Sequence, residues 1–193
     1  MSKRERTKIK KTQIIVAILI IIIGTLLHFT YEWSGENNFV ASFSAVNEST
    51  WEHLKLVFFP MLILGIIEYF FIKKEVNNYI EAKTIGIFAS ICFVIVFFYT
   101  YTGILGTNFF IIDILTFILS IILGEYVAYK LMTIENQSTI LSKVLSIGII
   151  IFLFLCFVIF TYNPPKVNLF KDPTEKTNRI IQENNWNKIH NYI

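Results

Sequence analysis

Five apolar stretches, each long enough to cross a lipid bilayer, constrain this chain more than any other feature. They run from about Thr12 to Tyr31, Trp51 to Ile72, Lys83 to Leu105, Phe109 to Met132 and Leu141 to Tyr162. A spanning helix needs about 20 mostly apolar residues. In hydrocarbon every backbone N–H and C=O must be paired, and a single apolar stretch can do that only as a helix. The sequence therefore predicts an all-α fold, a polytopic membrane helix bundle of about five transmembrane helices. Composition agrees: 16% of the 193 residues are charged and 19 are Phe, whereas soluble domains carry about 25% charge.

Charge placement predicts orientation. Residues 1–11, "MSKRERTKIKK", carry six Lys/Arg and one Glu. No small-residue cleavage site follows the first apolar run, so it reads as an uncleaved span rather than a signal peptide. Under the positive-inside rule this basic segment is cytoplasmic. The loop from about Ser34 to Thr50 holds Glu36 and Glu48 and no Lys or Arg, which suits the outside. Lys73, Lys74 and Lys83 mark the next loop as inside, Gly106-Thr-Asn108 is uncharged and outside, and Lys130 and Lys143 flank an inner loop. The expected organisation is a cytoplasmic N-terminus (1–11), a bundle (12–162) and an extracytoplasmic tail (163–193). The setting is a cell membrane, with the lipid bilayer as partner. In the tail, Asn163-Pro164-Pro165 stops the fifth helix. Thr174 could cap a short helix with Ile180, Ile181, Trp186, Ile189 and Ile193 on one face.

Several function classes drop out. The basic residues form no basic-aromatic face, so nucleic acid is not a partner. Cys92 and Cys156 lie within apolar runs and read as packing residues. No Cys/His spacing marks a zinc ribbon or redox pair.

The polar groups inside or beside the spans are costly. An ionisable group at the centre of a membrane helix costs roughly 2.5–3.5 kcal/mol on insertion scales. His28 and Glu32, spaced i, i+4, share a face at the outer end of the first span. Glu48, Glu52, His53 and Lys55 surround the outer start of the second, and Asp113 lies near the outer start of the fourth. Part of this has a local explanation. Ser49-Thr-Trp-Glu52 matches a capping box, with Ser49 as N-cap and Glu52 reaching back. A Glu52–Lys55 ion pair would be an ordinary interfacial feature, and Trp33 and Trp51 suit an aromatic belt. That leaves His28, Glu32, Glu48, His53 and Asp113 as candidate ligands for a divalent transition metal, because mixed imidazole and carboxylate donors suit zinc, iron or manganese. Glu52, His53 and Asp113 are the candidate catalytic residues. A metal-free polar network or small-molecule pocket is the alternative.

Glu68 and Glu125 lie in the inner halves of the second and fourth spans. They read as carboxylates snorkelling toward Lys73, Lys74 and Lys130, or as a second, intramembrane carboxylate station. Pro60 frees a backbone carbonyl inside the second span and should kink it. Three functions stay open: a metal-assisted hydrolase or binder acting on a lipid or small molecule, an ion-coupled transporter, and a non-catalytic scaffold. A homo-oligomer would supply the symmetry that five spans without a repeat lack.

The words "HFTYEWSG", "FSAVNESTWEHLKLVFFP" and "YNPPKVNLFKDP" together resemble a family of small bacterial multi-pass membrane proteins of unknown function. The resemblance runs from the first span to the proline-rich start of the tail. It implies a membrane location and a bacterial inner-membrane setting, and it implies no activity, substrate or cofactor.

Overall fold

A computed structural model describes residues 1–134 and 138–172. The helix expected after Thr174, with its Ile and Trp186 face, lies outside the described residues. The elements are α1 (Lys3–Trp33), α2 (Asn38–Ala41), α3 (Thr50–Ile72), α4 (Tyr79–Leu105), α5 (Phe110–Thr133), α6 (Ile140–Tyr162) and a 3-10 turn at Asn168–Phe170. Five of these helices, α1 and α3 to α6, are long and apolar enough to cross a membrane. The bundle has two ends. At the amino-terminal end α1 starts, α3 finishes and α4 begins. At the first-loop end α1 finishes and α3 begins.

Helix α1 starts well before its apolar stretch. Ser2 Oγ accepts from the Glu5 N–H at 3.2 Å, and Glu5 Oε2 accepts from the Ser2 N–H at 2.7 Å. This reciprocal capping box nucleates the helix inside the basic segment.

Helix α3 is the hub. In its most apolar window 61% of residues are buried, against 17% in α1 and 11% in α6. It packs on α1, α4, α5 and the 3-10 turn. Its core residues Leu54, Val57, Phe58 and Met61 are all at most 1% exposed. Trp51, expected in an interfacial belt, instead turns inward. Its ring lies 4.6 Å from Phe157 and 4.8 Å from Phe170. The 3-10 turn after α6 thus closes over the start of α3. Trp33 is 66% exposed, as a belt residue would be.

Two close approaches fix helix positions. A Cβ on Gly124 would stand 1.9 Å from Ser90 Oγ and 2.6 Å from the Gly86 carbonyl, so α4 and α5 can pack this closely only through glycine. The Ser90 hydroxyl donates to the Ser120 carbonyl at 2.8 Å across the same contact. Between α1 and α3, a Cβ on Gly24 would stand 2.5 Å from the Leu56 carbonyl oxygen. Leu56 is four residues before Pro60, which lies inside the unbroken helix α3. Pro60 has no N–H to donate, so the Leu56 carbonyl lacks its helical partner and rests on the Gly24 backbone.

Candidate functional site

At the first-loop end the chain folds back into the mouth of the bundle. Asn37 Oδ1 accepts from the Phe39 N–H at 2.8 Å and starts the short α2. Ser44, fully buried, donates to the Leu27 carbonyl at 2.5 Å and accepts from the Tyr31 N–H at 3.2 Å. The loop is thereby tied to the last turns of α1.

Lys55 holds the loop from below. It is 0% exposed, and its ammonium donates to the Ala41 carbonyl at 2.8 Å, the Ser44 carbonyl at 3.2 Å and Glu52 Oε2 at 2.6 Å. All three N–H groups are used. The Glu52 carboxylate also accepts from the Val46 N–H at 3.0 Å. Ser49 caps α3 as expected, accepting from the Glu52 N–H at 3.4 Å. The reciprocal half of the box is missing: the Ser49 N–H goes to Asn47 Oδ1 at 2.9 Å. Glu52 is 3% exposed and committed to Lys55 and Val46. It therefore does not stand beside His53 as an acid–base partner, and the expected interfacial ion pair is a buried one.

Above this pair, three of the expected ligands converge. His28 from α1, His53 from α3 and Glu48 from the loop offer donor atoms all within 4.8 Å of one another. His28 Nε2 is 3.8 Å from Glu48 Oε1, and His53 Nε2 is 3.4 Å from Glu48 Oε2. The two rings lie 5.3 Å apart, tilted by 36°. His53 Nδ1 is 3.0 Å from the Ser49 carbonyl. A carbonyl only accepts, so Nδ1 carries a hydrogen, and in the neutral ring Nε2 then presents its lone pair toward Glu48. A bare imidazole nitrogen and a carboxylate oxygen repel unless a proton or a cation lies between them. Donors around one tetrahedral zinc stand roughly 3.4 Å apart, given metal–ligand lengths of about 2.1 Å. The 3.4 Å His53–Glu48 separation matches that value, and the 3.8 Å His28 separation, to the other carboxylate oxygen, is slightly longer. Glu48 is also steadied by its backbone N–H, which donates to Asp172 Oδ2 at 3.4 Å.

Glu32 and Asp113 do not join this group. Glu32 lies one turn beyond His28 and supplies no donor to the three. The Asp113 carboxylate accepts from the Tyr101 hydroxyl in a short hydrogen bond and from Asn108 Nδ2 at 3.0 Å. It ties the α4–α5 connection together.

A second cluster lies near the amino-terminal end. Glu68 and Glu125 do not snorkel toward Lys73, Lys74 and Lys130: they are 1% and 3% exposed. Both bind Lys83, at 2.7 Å and 2.5 Å. Gln13 of α1 donates to Glu68 Oε1 in a short hydrogen bond, and Tyr79 lies 3.0 Å from Glu68 Oε2. Sequence reasoning missed Gln13, Tyr79 and Lys83 as members. The signal was present: Tyr79 and Lys83 are spaced i, i+4 and share a helix face, and Gln13 is an amide at the edge of an apolar run.

Over residues 1–179 the chain matches the model of a family described as a family of unknown function, DUF6512. No curated protein and no solved structure matches it.

Proposed function

The chain belongs to that family of unknown function, and we propose that it is a membrane-spanning protein whose first-loop end binds one divalent transition metal through His28, Glu48 and His53. One observation carries this reading: three donors of the right chemistry, from two helices and a loop, lie within 4.8 Å of one another. The His53–Ser49 hydrogen bond supports it, because in the neutral ring it aims the Nε2 lone pair at the shared centre.

Two imidazoles and one carboxylate are the ligand set of catalytic zinc sites, which keep a fourth position for water or substrate. The side chains are partly open: His28 is 30%, His53 36% and Glu48 48% exposed. By the positive-inside assignment this rim faces the outside, at headgroup depth. A metal there would acidify a bound water and polarise a carbonyl or phosphoryl oxygen. The matching reaction class is hydrolysis of a lipid or another amphiphile.

Cobalt(II) is the test probe, since its visible absorption reports coordination geometry. Full-length protein in detergent, stripped with a chelator, is expected to bind one cobalt with a four- or five-coordinate spectrum that zinc displaces. His28→Ala and His53→Ala are expected to lose the spectrum while the helical circular dichroism stays. Wild-type protein that gives only the hexaaqua cobalt spectrum would overturn the proposal.

A further inference from the structure

Four helices deliver polar side chains to one point near the amino-terminal end: Gln13 from α1, Glu68 from α3, Tyr79 and Lys83 from α4, and Glu125 from α5. Each is at most 4% exposed. With both carboxyls and the amine ionised, Glu68, Glu125 and Lys83 carry a net charge of −1. A net charge in a dry helix bundle is expensive, and a proton is the simplest remedy.

The hydrogen bonds separate the two carboxyls. Glu68 accepts on both oxygens, from Gln13 on Oε1 and from the Tyr79 hydroxyl on Oε2, with the Lys83 ammonium 2.7 Å from Oε2 as an ion pair. That is the pattern of a carboxylate, which has only lone pairs to offer. Glu125 accepts from Lys83 through Oε2 only, and its Oε1 is buried with no partner among the described residues. Lys83 places its third N–H toward Gln13 Oε1 at 3.5 Å. Among the described residues, the one buried side-chain atom of the cluster without a partner is Glu125 Oε1.

The cluster borders an apolar crevice. Tyr79 and Lys83 also line a crevice of about 310 Å³ between α3, α4 and α6. Its other walls include Met61, Gly65, Ile87 and Ile150.

We propose that these five residues form an intramembrane proton-binding site, with Glu125 as the group that takes and releases the proton at Oε1. Uptake forms one O–H bond on Glu125 and moves the cluster from −1 to neutral; release reverses both. Lys83 and Glu68 stay as the compensating pair. This reading is independent of the metal centre at the other end.

The experiment is pH-difference infrared spectroscopy on the full chain in lipid nanodiscs, with a chelator present. A carbonyl band of a protonated carboxylic acid, shifted down in D₂O, is expected to rise on acidification. Glu125→Gln is expected to remove it. Asp113→Asn is expected to leave it. Should Glu125→Gln fail to fold, Glu125→Asp serves, with the band moved in frequency. A wild-type protein with no such band, or a band unchanged in the Glu125 variants, would sink the proposal.

Discussion

His28 and His53 come from different helices, yet their rings lie 5.3 Å apart with Glu48 reaching both. Metal binding at this pair must compete with protons. An imidazole ligates only when its ring nitrogen is bare, so acid opposes the metal. Zinc or cobalt affinity is thus expected to be greatest above neutrality and to fall as pH drops toward about 5. Calorimetric titration at several pH values checks this. Constant affinity across that window would argue against imidazole ligation. Asp113→Ala is expected to leave affinity unchanged, because Asp113 is bound to Tyr101 and Asn108.

Removing the Lys55 ammonium should cost more than removing the whole ion pair. Lys55→Met leaves Glu52 as a buried, uncompensated carboxylate, and frees the Ala41 and Ser44 carbonyls. Breaking one partner of a buried pair costs about 3–5 kcal/mol. Glu52→Gln/Lys55→Met together should recover much of that. Denaturant titration of the two variants in mild detergent reads the difference, and equal losses would refute the account.

The α4–α5 contact gives a steric prediction. Gly124→Ala would drive a methyl into Ser90 Oγ and the Gly86 carbonyl. Overpacking of this kind costs about 1–3 kcal/mol. Gly148→Ala in α6 meets nothing within 4 Å and should be neutral or slightly stabilising, as alanine is the better helix former. Thermal unfolding followed by circular dichroism separates the two.

Trp51→Ala should destabilise by about 3–5 kcal/mol, the usual cost of deleting a buried aromatic. It would also release the 3-10 turn, since Phe170 rests on that ring. Faster proteolysis at Lys166 and Lys171, alongside the loss in thermal stability, is the expected signature. A tail as protected as in wild type would mean that Phe170 is held by other contacts.

The five spans were legible because length and apolar composition decide which helices can cross a membrane. What the sequence did not report was angle around the bundle. Asp113, expected to join His28 and His53, faces Tyr101 instead. Glu68 and Glu125 lie near basic loops in the sequence and still face inward. The spans are apolar nearly all round, so no hydrophobic stripe says which side of each helix meets its neighbours. Lys83 misled for a related reason: a lysine at a helix end usually marks the cytoplasmic rim, but its long side chain can reach back into the bundle. His28, Glu48 and His53 were recoverable because two of the three are separated by only a few residues and the third lies on the adjoining helix.

The rest of the Leu56 carbonyl on Gly24 lies one turn below the histidines. His28 follows Gly24 by four residues and His53 precedes Leu56 by three, so both rings sit on the same side of this contact. Sliding α1 by a single residue would carry His28 about 1.5 Å along the axis and about 100° around it, away from His53. A missing hydrogen and a missing side chain together act as a vernier stop between two otherwise smooth hydrocarbon rods, and the alignment of the histidine pair above is read off that stop.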